Sequence, residues 1–155
     1  MSAARTVIGH ALTPERVLRL DCDTKAEAFD VLIGCLSEAP EIGDANVLRR
    51  EMFAREELMS TGLGNGFGVP HVRLESVSAL VMAAGVNRRA LADYEALDGK
   101  PVRVICMVAA RADQHADYLR VLAALSHVMK NGAARKALLA TKEPGAIYEI
   151  FVNPG

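Results

Sequence analysis

Residues 61–71 read TGLGNGFGVPH, and the rest of the fold is read outward from this stretch. Glycine stands at positions 62, 64, 66 and 68. Each would cost a helix interior about 1 kcal/mol relative to alanine, so no helix passes here. Asn65-Gly66 between Leu63 and Phe67 is instead the signal of a two-residue type I′ hairpin. Pro70 fixes its own φ and pushes Val69 to an extended shape. The backbone that delivers His71 is therefore stiff, while the loop beside it is lined by glycine. Missing Cβ atoms let a group approach the backbone and let N–H groups point into a concavity. A nucleophilic or ligating histidine profits from such a place, and a turn-associated structural histidine fits it equally well.

Upstream, Arg16 to Leu20 is a short β-like run. Thr24 with Glu27 is a capping box for a helix that reaches Leu36 and is bounded by Pro40. Asp44 caps a second helix running to about Glu57. Downstream, Val77 to Val86 and Val102 to Ala109 read as buried strands, separated by a mixed polar segment with an Asp98-Gly99 turn. Asp113 is the expected cap of a helix to Lys130, which Asn131-Gly132 ends. A short helix over 133–140 follows. Thr141 is the expected cap of the last one, with Pro144 in its first turn and Phe151 at its end. Helices before, between and after the strands predict a three-layer α/β/α sandwich, with a central mixed sheet and helices on both faces. Residues 1–11 are expected to be a loose lead, and 12–155 a single domain.

The composition narrows the function classes. The chain has 155 residues, 51% of them hydrophobic, 24% charged, and a net charge of −1. That balance excludes a disordered chain and gives no bulk-charge argument for nucleic acid. Aromatic residues are 5% with no Trp, too few for base-stacking platforms. The longest uncharged stretch worth testing, 77–87, falls far short of the roughly 20 residues a membrane span needs. A cytoplasmic protein without membrane insertion is expected. Cys22, Cys35 and Cys106 are odd in number and form no CxxC, so reduced, packed thiols are expected.

The remaining histidines separate by position. His10 lies in the lead and receives no role. On a helical wheel zeroed at His115, Leu119, Leu122, Ser126 and Met129 fall within about 40°, and His127 about 120° away. His115 is thus expected on the inward stripe, in the first turn where the helix dipole favours a bound anion. His127 is expected at the surface. No GK[ST] follows the glycines and the GxGxxG spacing fails, so a nucleotide loop is unsupported. No HxH or HxxxH offers a metal site, and no GxSxG a serine triad. Arg55-Glu56-Glu57 reads as a solvated helix end.

The arrangement from Arg55 to His71, R-E-E-L-x-S-T-G-x-G-x-G-x-x-V-P-H, resembles the phosphorylation-site signature of phosphotransferase system IIA domains of the fructose, mannitol and nitrogen-regulatory type. Lys25 in its T-K-x-x-A context is similar to the family's first helix. Asp113-Gln114-His115 with Tyr118-Leu119 is similar to its second histidine motif. The likeness covers roughly residues 12–151, and Leu12 to Val17 looks like the opening of the stand-alone nitrogen-regulatory members. Gly68 departs from a frequent alanine. The resemblance implies that His71 accepts a phosphoryl group from a histidine-containing phosphocarrier protein. Arg55 and His115 would support the transfer, and Ser60, Thr61, Gly62 and Gly64 would contact or support the phosphoryl oxygens. It implies no metal or other cofactor. Nitrogen-linked regulation is the first expectation. A sugar-specific component passing the phosphoryl group to a separate IIB protein is the alternative. The chain would then be either a phosphotransferase component or a regulator whose phosphorylation is the signal. A permease or regulatory target would be a separate partner.

Overall fold

The computed structural model describes residues 3–155. Two long strands, β5 (Val81–Leu91) and β6 (Val102–Arg111), build two cores at once by side-chain alternation. Met82, Ala84 and Val86 of β5 enter one core, and Val81 and Ala83 the other. In β6, Val104, Cys106, Val108 and Ala110 join the first core, and Ile105, Met107 and Ala109 the second. Apolar residues on both phases of the pleat are what a strand covered on both faces requires. β5 and β6 pair antiparallel, and β1 (Val17–Leu20) lies parallel to β5 on the outer side. On the other flank β3 (Phe67–Gly68) and β4 (His71–Leu74) both run parallel to β6, against Val104–Ile105 and Val108–Arg111. They form one line along β6, interrupted by Val69-Pro70. β2 (Gly62–Gly64) pairs antiparallel with β3 and gives the order β1-β5-β6-β3-β2.

The first core is covered by α1 (Ala3–Ala11), α4 (His115–Lys130), α5 (Gly132–Ala140) and α6 (Pro144–Val152). The second is covered by α2 (Lys25–Ser37) and α3 (Ala45–Leu58). The three-layer α/β/α sandwich with a mixed sheet is thus the architecture observed. Its helix starts follow the sequence signals. The Thr24 hydroxyl accepts the Glu27 N–H, and the Asp44 carboxylate accepts those of Asn46 and Val47. Pro144 takes the first turn of α6. Asn131 ends α4 and also starts α5, its side chain accepting the Ala134 N–H.

Several expectations are corrected. The lead over 1–11 is not loose where it is described: it is helix α1, with Ile8, Ala11 and Leu12 buried. Their i, i+3, i+4 spacing is helical, and the stripe docks on α4 and α6. The strand expected from Val77 starts at Val81, because 77–80 turns away. There Val77 N–H bonds Leu74 O and Ser78 N–H bonds Glu41 O. Gln114, not Asp113, holds the N-cap position of α4, since Asp113 is drawn into an ion pair with Arg111. Glu143 rather than Thr141 precedes α6. The buried stripe of α4 is Tyr118, Val121, Ala124, Leu125 and Val128. It is rotated by roughly 100° from the wheel centred on His115. His115 is exposed, as is Leu119, and His127 is exposed as expected.

Candidate active site

His71 opens β4 at the point where the line along β6 resumes after Pro70. Val69 N–H bonds Thr61 O at 3.0 Å, and Val108 N–H bonds Pro70 O at 2.9 Å, so both residues before the histidine are pinned. His71 Nδ1 lies 2.7 Å from Val69 O. A carbonyl only accepts, so Nδ1 carries the proton and Nε2 keeps its lone pair. Burial holds the imidazole below its ordinary pKa. The Val69 carbonyl and the Glu56 charge oppose that shift, while Arg55 and Arg73 add to it. The ring is therefore a neutral base at pH 7.

This sets a pH signature. A lowered folded-state value means that the unfolded chain takes up the proton first. The stability linked to His71 is therefore fully present above about 6.5 and is lost as the pH falls from there toward the folded value. Urea unfolding at several pH values should show this slope in the wild type and a reduced one in His71→Gln. A His71 NMR titration midpoint at or above the ordinary histidine value would contradict it.

The ring lines a cleft of about 600 Å³ with Arg55, Leu58, Arg73 and Tyr118. Glu51 also reaches this cleft, and its carboxylate is paired with Arg50 at 3.3 Å. A smaller hollow of about 180 Å³ shares His71 and Arg55 and is bounded by Ser60, Thr61 and Gly62. Arg55 donates from Nη1 to Met59 O at 3.0 Å, which steadies the guanidinium at the end of α3. The Tyr118 ring sits 5.1 Å from the His71 ring and 6.5 Å from the His115 ring. Arg73 stacks over the same tyrosine at 5.8 Å and places Nη1 3.2 Å from His115 Nδ1. A guanidinium only donates, so His115 Nδ1 accepts and its Nε2 bears the proton. Tyr118 thus lies against both imidazoles, while Arg55 shares the His71 cleft directly.

The supporting residues divide. The Thr61 hydroxyl is buried, donates to Glu56 Oε1 at 2.6 Å and lies 2.6 Å from Tyr94 Oη. It supports the turn and has no free donor for a phosphoryl group. Ser60 donates to Glu95 O at 2.6 Å. The hairpin turn is type I′, with φ of 55° at Asn65 and 80° at Gly66. Its tip stands beside Val104, four residues along β6 from the His71 partner Val108. Gly64 borders neither hollow, so of the expected glycine cradle only Gly62 lies beside His71. At Gly68 an added Cβ would lie 2.4 Å from Tyr94 Oη. The buried Tyr94 fills the space that a methyl group would need.

Four residues at or beneath the site carry no site role in the sequence. Glu56 is buried, not solvated; its signal was the stripe Leu48, Met52, Glu56 at i, i+4, i+8. Arg73 lies two residues past His71, the spacing that puts strand side chains on one face. Tyr118 lies three past His115 on a helix. Tyr94, in the mixed segment after β5, gave no signal. Among the described residues no group of three His, Cys, Asp or Glu is placed to hold a metal, and no helix is long and apolar enough to cross a membrane.

Comparison with known proteins identifies the family. A Pseudomonas aeruginosa nitrogen regulatory protein is 34% identical, with 92% of each chain covered. A Bacillus subtilis fructose-specific EIIABC component is 30% identical over 86% of this chain, which spans only 21% of that protein. The crystal structure of nitrogen regulatory protein IIA-Ntr from Neisseria meningitidis superposes with a TM-score of 0.85 at 26% identity, over 93% of this chain and 98% of that one. The mannitol IIA from Escherichia coli, solved in complex with phosphorylated mannitol IIB, shares the fold with a TM-score of 0.75 at 21% identity, over 90% and 96% of the two chains. The family model for the phosphoenolpyruvate-dependent sugar phosphotransferase system, EIIA 2, matches residues 11–153. A match across nearly the whole sandwich makes this chain a member of that EIIA 2 family.

Proposed function

We propose that His71 accepts a phosphoryl group at Nε2 from the phosphohistidine of a carrier protein, and that the phosphorylated chain acts in nitrogen-linked regulation in the cytoplasm. One observation carries this reading: Nδ1 is held by Val69 O, so a lone pair stands at Nε2 in a cleft with two guanidiniums. In the transfer, the Nε2 lone pair attacks phosphorus as the donor's P–N bond breaks. The bonding pair returns to the donor imidazole, which leaves neutral because its other nitrogen carries a proton, so the positive ring charge passes from the donor to His71. No proton must leave Nε2, because none is there. His71 then carries the phosphoryl group, with Nδ1–H still bonded to Val69 O. Such a transfer depends mostly on positioning and on charge stabilisation of the three moving oxygens. Arg55 supplies a forked, permanently charged donor, and Arg73 a second cation.

Exposed Leu58, Met59, Leu63 and Leu97 surround these hollows, an apolar rim of the kind a protein partner covers. The similarity to nitrogen regulatory proteins in sequence and structure favours regulation. The fructose-specific relative keeps a second reading, in which a separate IIB protein takes the phosphoryl group onward.

Radiolabelled phosphoenolpyruvate, with the general enzyme and a carrier of either the sugar or the nitrogen type, tests the proposal. The expected product is an acid-labile, alkali-stable phosphohistidine at Nε2 of His71, formed faster from the nitrogen-type carrier. Incorporation from neither carrier would refute the function. Arg55→Lys keeps the charge but loses the fork. Losing one charge-assisted hydrogen bond, worth roughly 1.5–3 kcal/mol, should slow acceptance by about one to two powers of ten. An unchanged rate by rapid-quench labelling would remove Arg55 from the transfer step.

A further inference from the structure

A line of hydrogen bonds enters the site from α2. Lys25, the first residue of that helix, places Nζ 3.1 Å from Glu56 Oε2. The same oxygen accepts the Thr61 N–H at 3.0 Å, and Oε1 accepts the Thr61 hydroxyl at 2.6 Å. Thr61 O accepts the Val69 N–H, and Val69 O accepts Nδ1–H of His71. Tyr94 braces the line from the side. Its Oη meets the Thr61 hydroxyl, and Lys25 Nζ sits 5.1 Å from its ring centre. The Glu56 side chain is only 5% exposed, so water does not replace a lost partner.

From this geometry we infer that Lys25 is a positioning residue for His71: its ammonium anchors the Glu56 carboxylate, the carboxylate clamps the Thr61 peptide, and Val69 transmits the clamp to the imidazole. The physical step is at Glu56. Without the ammonium, the buried carboxylate loses a charge-assisted partner that water does not replace. Its charge would turn toward solvent and release the Thr61 N–H and hydroxyl that it now accepts. The Thr61 peptide would then turn, and the Val69 carbonyl would no longer be fixed against Nδ1. His71 would populate the tautomer with the proton on Nε2, the wrong one for accepting phosphorus. This consequence for transfer rests on His71 being the acceptor, while the tautomer itself is readable without any transfer.

The test is nitrogen-15 NMR of the histidine rings in the full chain, with amide exchange at Val69 and phosphoryl acceptance measured alongside. In the wild type His71 should show a protonated Nδ1. In Lys25→Met the Nε2–H form should rise several-fold, Val69 should exchange faster, and acceptance should fall about tenfold through misplacement of the ring. Lys25→Arg should restore all three. A folded Lys25→Met protein with the wild-type His71 tautomer and Val69 exchange overturns the inference. Glu56→Gln keeps the shape without the charge and carries the same expectation, so it decides the matter if Lys25→Met does not fold. Failure of wild-type transfer together with the tautomer change would refute the acceptor role and uphold the positioning one.

Discussion

Replacing His71 with Gln should abolish phosphoryl acceptance, by at least about 10⁴-fold, while the chain remains folded. The loss would be near total because the proposed nucleophile is a single atom. No other side chain in the cleft presents a nitrogen lone pair: Arg55 and Arg73 are cations, and Tyr118 contributes a ring. His115 is poorly placed to stand in. It is exposed, lines neither hollow, and its Nδ1 lone pair is occupied by Arg73. The cost to stability is small by comparison. His71 is half-buried and makes one hydrogen bond, to Val69 O, which the Gln amide can also donate to. A net loss of about 1 kcal/mol is expected from denaturant unfolding. Retained labelling of His71→Gln in the reconstituted relay would place the acceptor elsewhere, with His115 the first residue to examine.

The site was legible in the sequence where chemistry is local and illegible where packing decides. Asn65-Gly66 specified a type I′ turn because only residues tolerant of positive φ occupy both central positions, and the observed angles agree. Thr24, Asp44 and Pro144 marked helix starts because caps act within one turn. The two long strands were found by their apolar runs, though β5 begins four residues late because Val77 bonds back into a turn. Three features escaped. β4 is four residues long and owes its strand state to pairing with β6, which no local signal encodes. The stripe of α4 was misplaced because the wheel was centred on the histidine of interest rather than on the apolar maximum. Glu56 was read as solvated because charge usually is, yet Lys25 and Thr61, neither of them adjacent in sequence, satisfy it in the interior. The alternating glycines were legible as a hairpin, but their reasons differ. Gly66 serves the turn, Gly68 makes room for Tyr94, and Gly62 admits another backbone.

Gly62→Ala should lower stability by at least about 3 kcal/mol and depress phosphoryl acceptance with it. A Cβ at this position would lie 2.0 Å from Glu95 O and 2.8 Å from Ala96 Cα. Both are main-chain atoms, so no rotamer change relieves the overlap. The segment they belong to is tied down. Gly62 and Ala96 form a bridge, Leu97 N–H bonds Gly62 O at 3.2 Å, and Ser60 bonds Glu95 O. Admitting the methyl group separates these backbones and breaks those bonds. The displacement falls next to Thr61, whose carbonyl holds Val69, so the His71 ring is disturbed as well. Two other glycines serve as controls. Gly34 lies inside α2 with nothing within 4 Å of an added Cβ, so Gly34→Ala should stabilise by about 0.5–1 kcal/mol. Gly66 also has open space, but its φ of 80° should cost Gly66→Ala roughly 1 kcal/mol through strain alone. Urea unfolding of the three variants separates close approach, helix propensity and backbone strain. A loss below about 1 kcal/mol for Gly62→Ala would mean that the segment over 95–97 gives way, and that the glycine is held there by the cleft beside His71 rather than by the packing of two backbones.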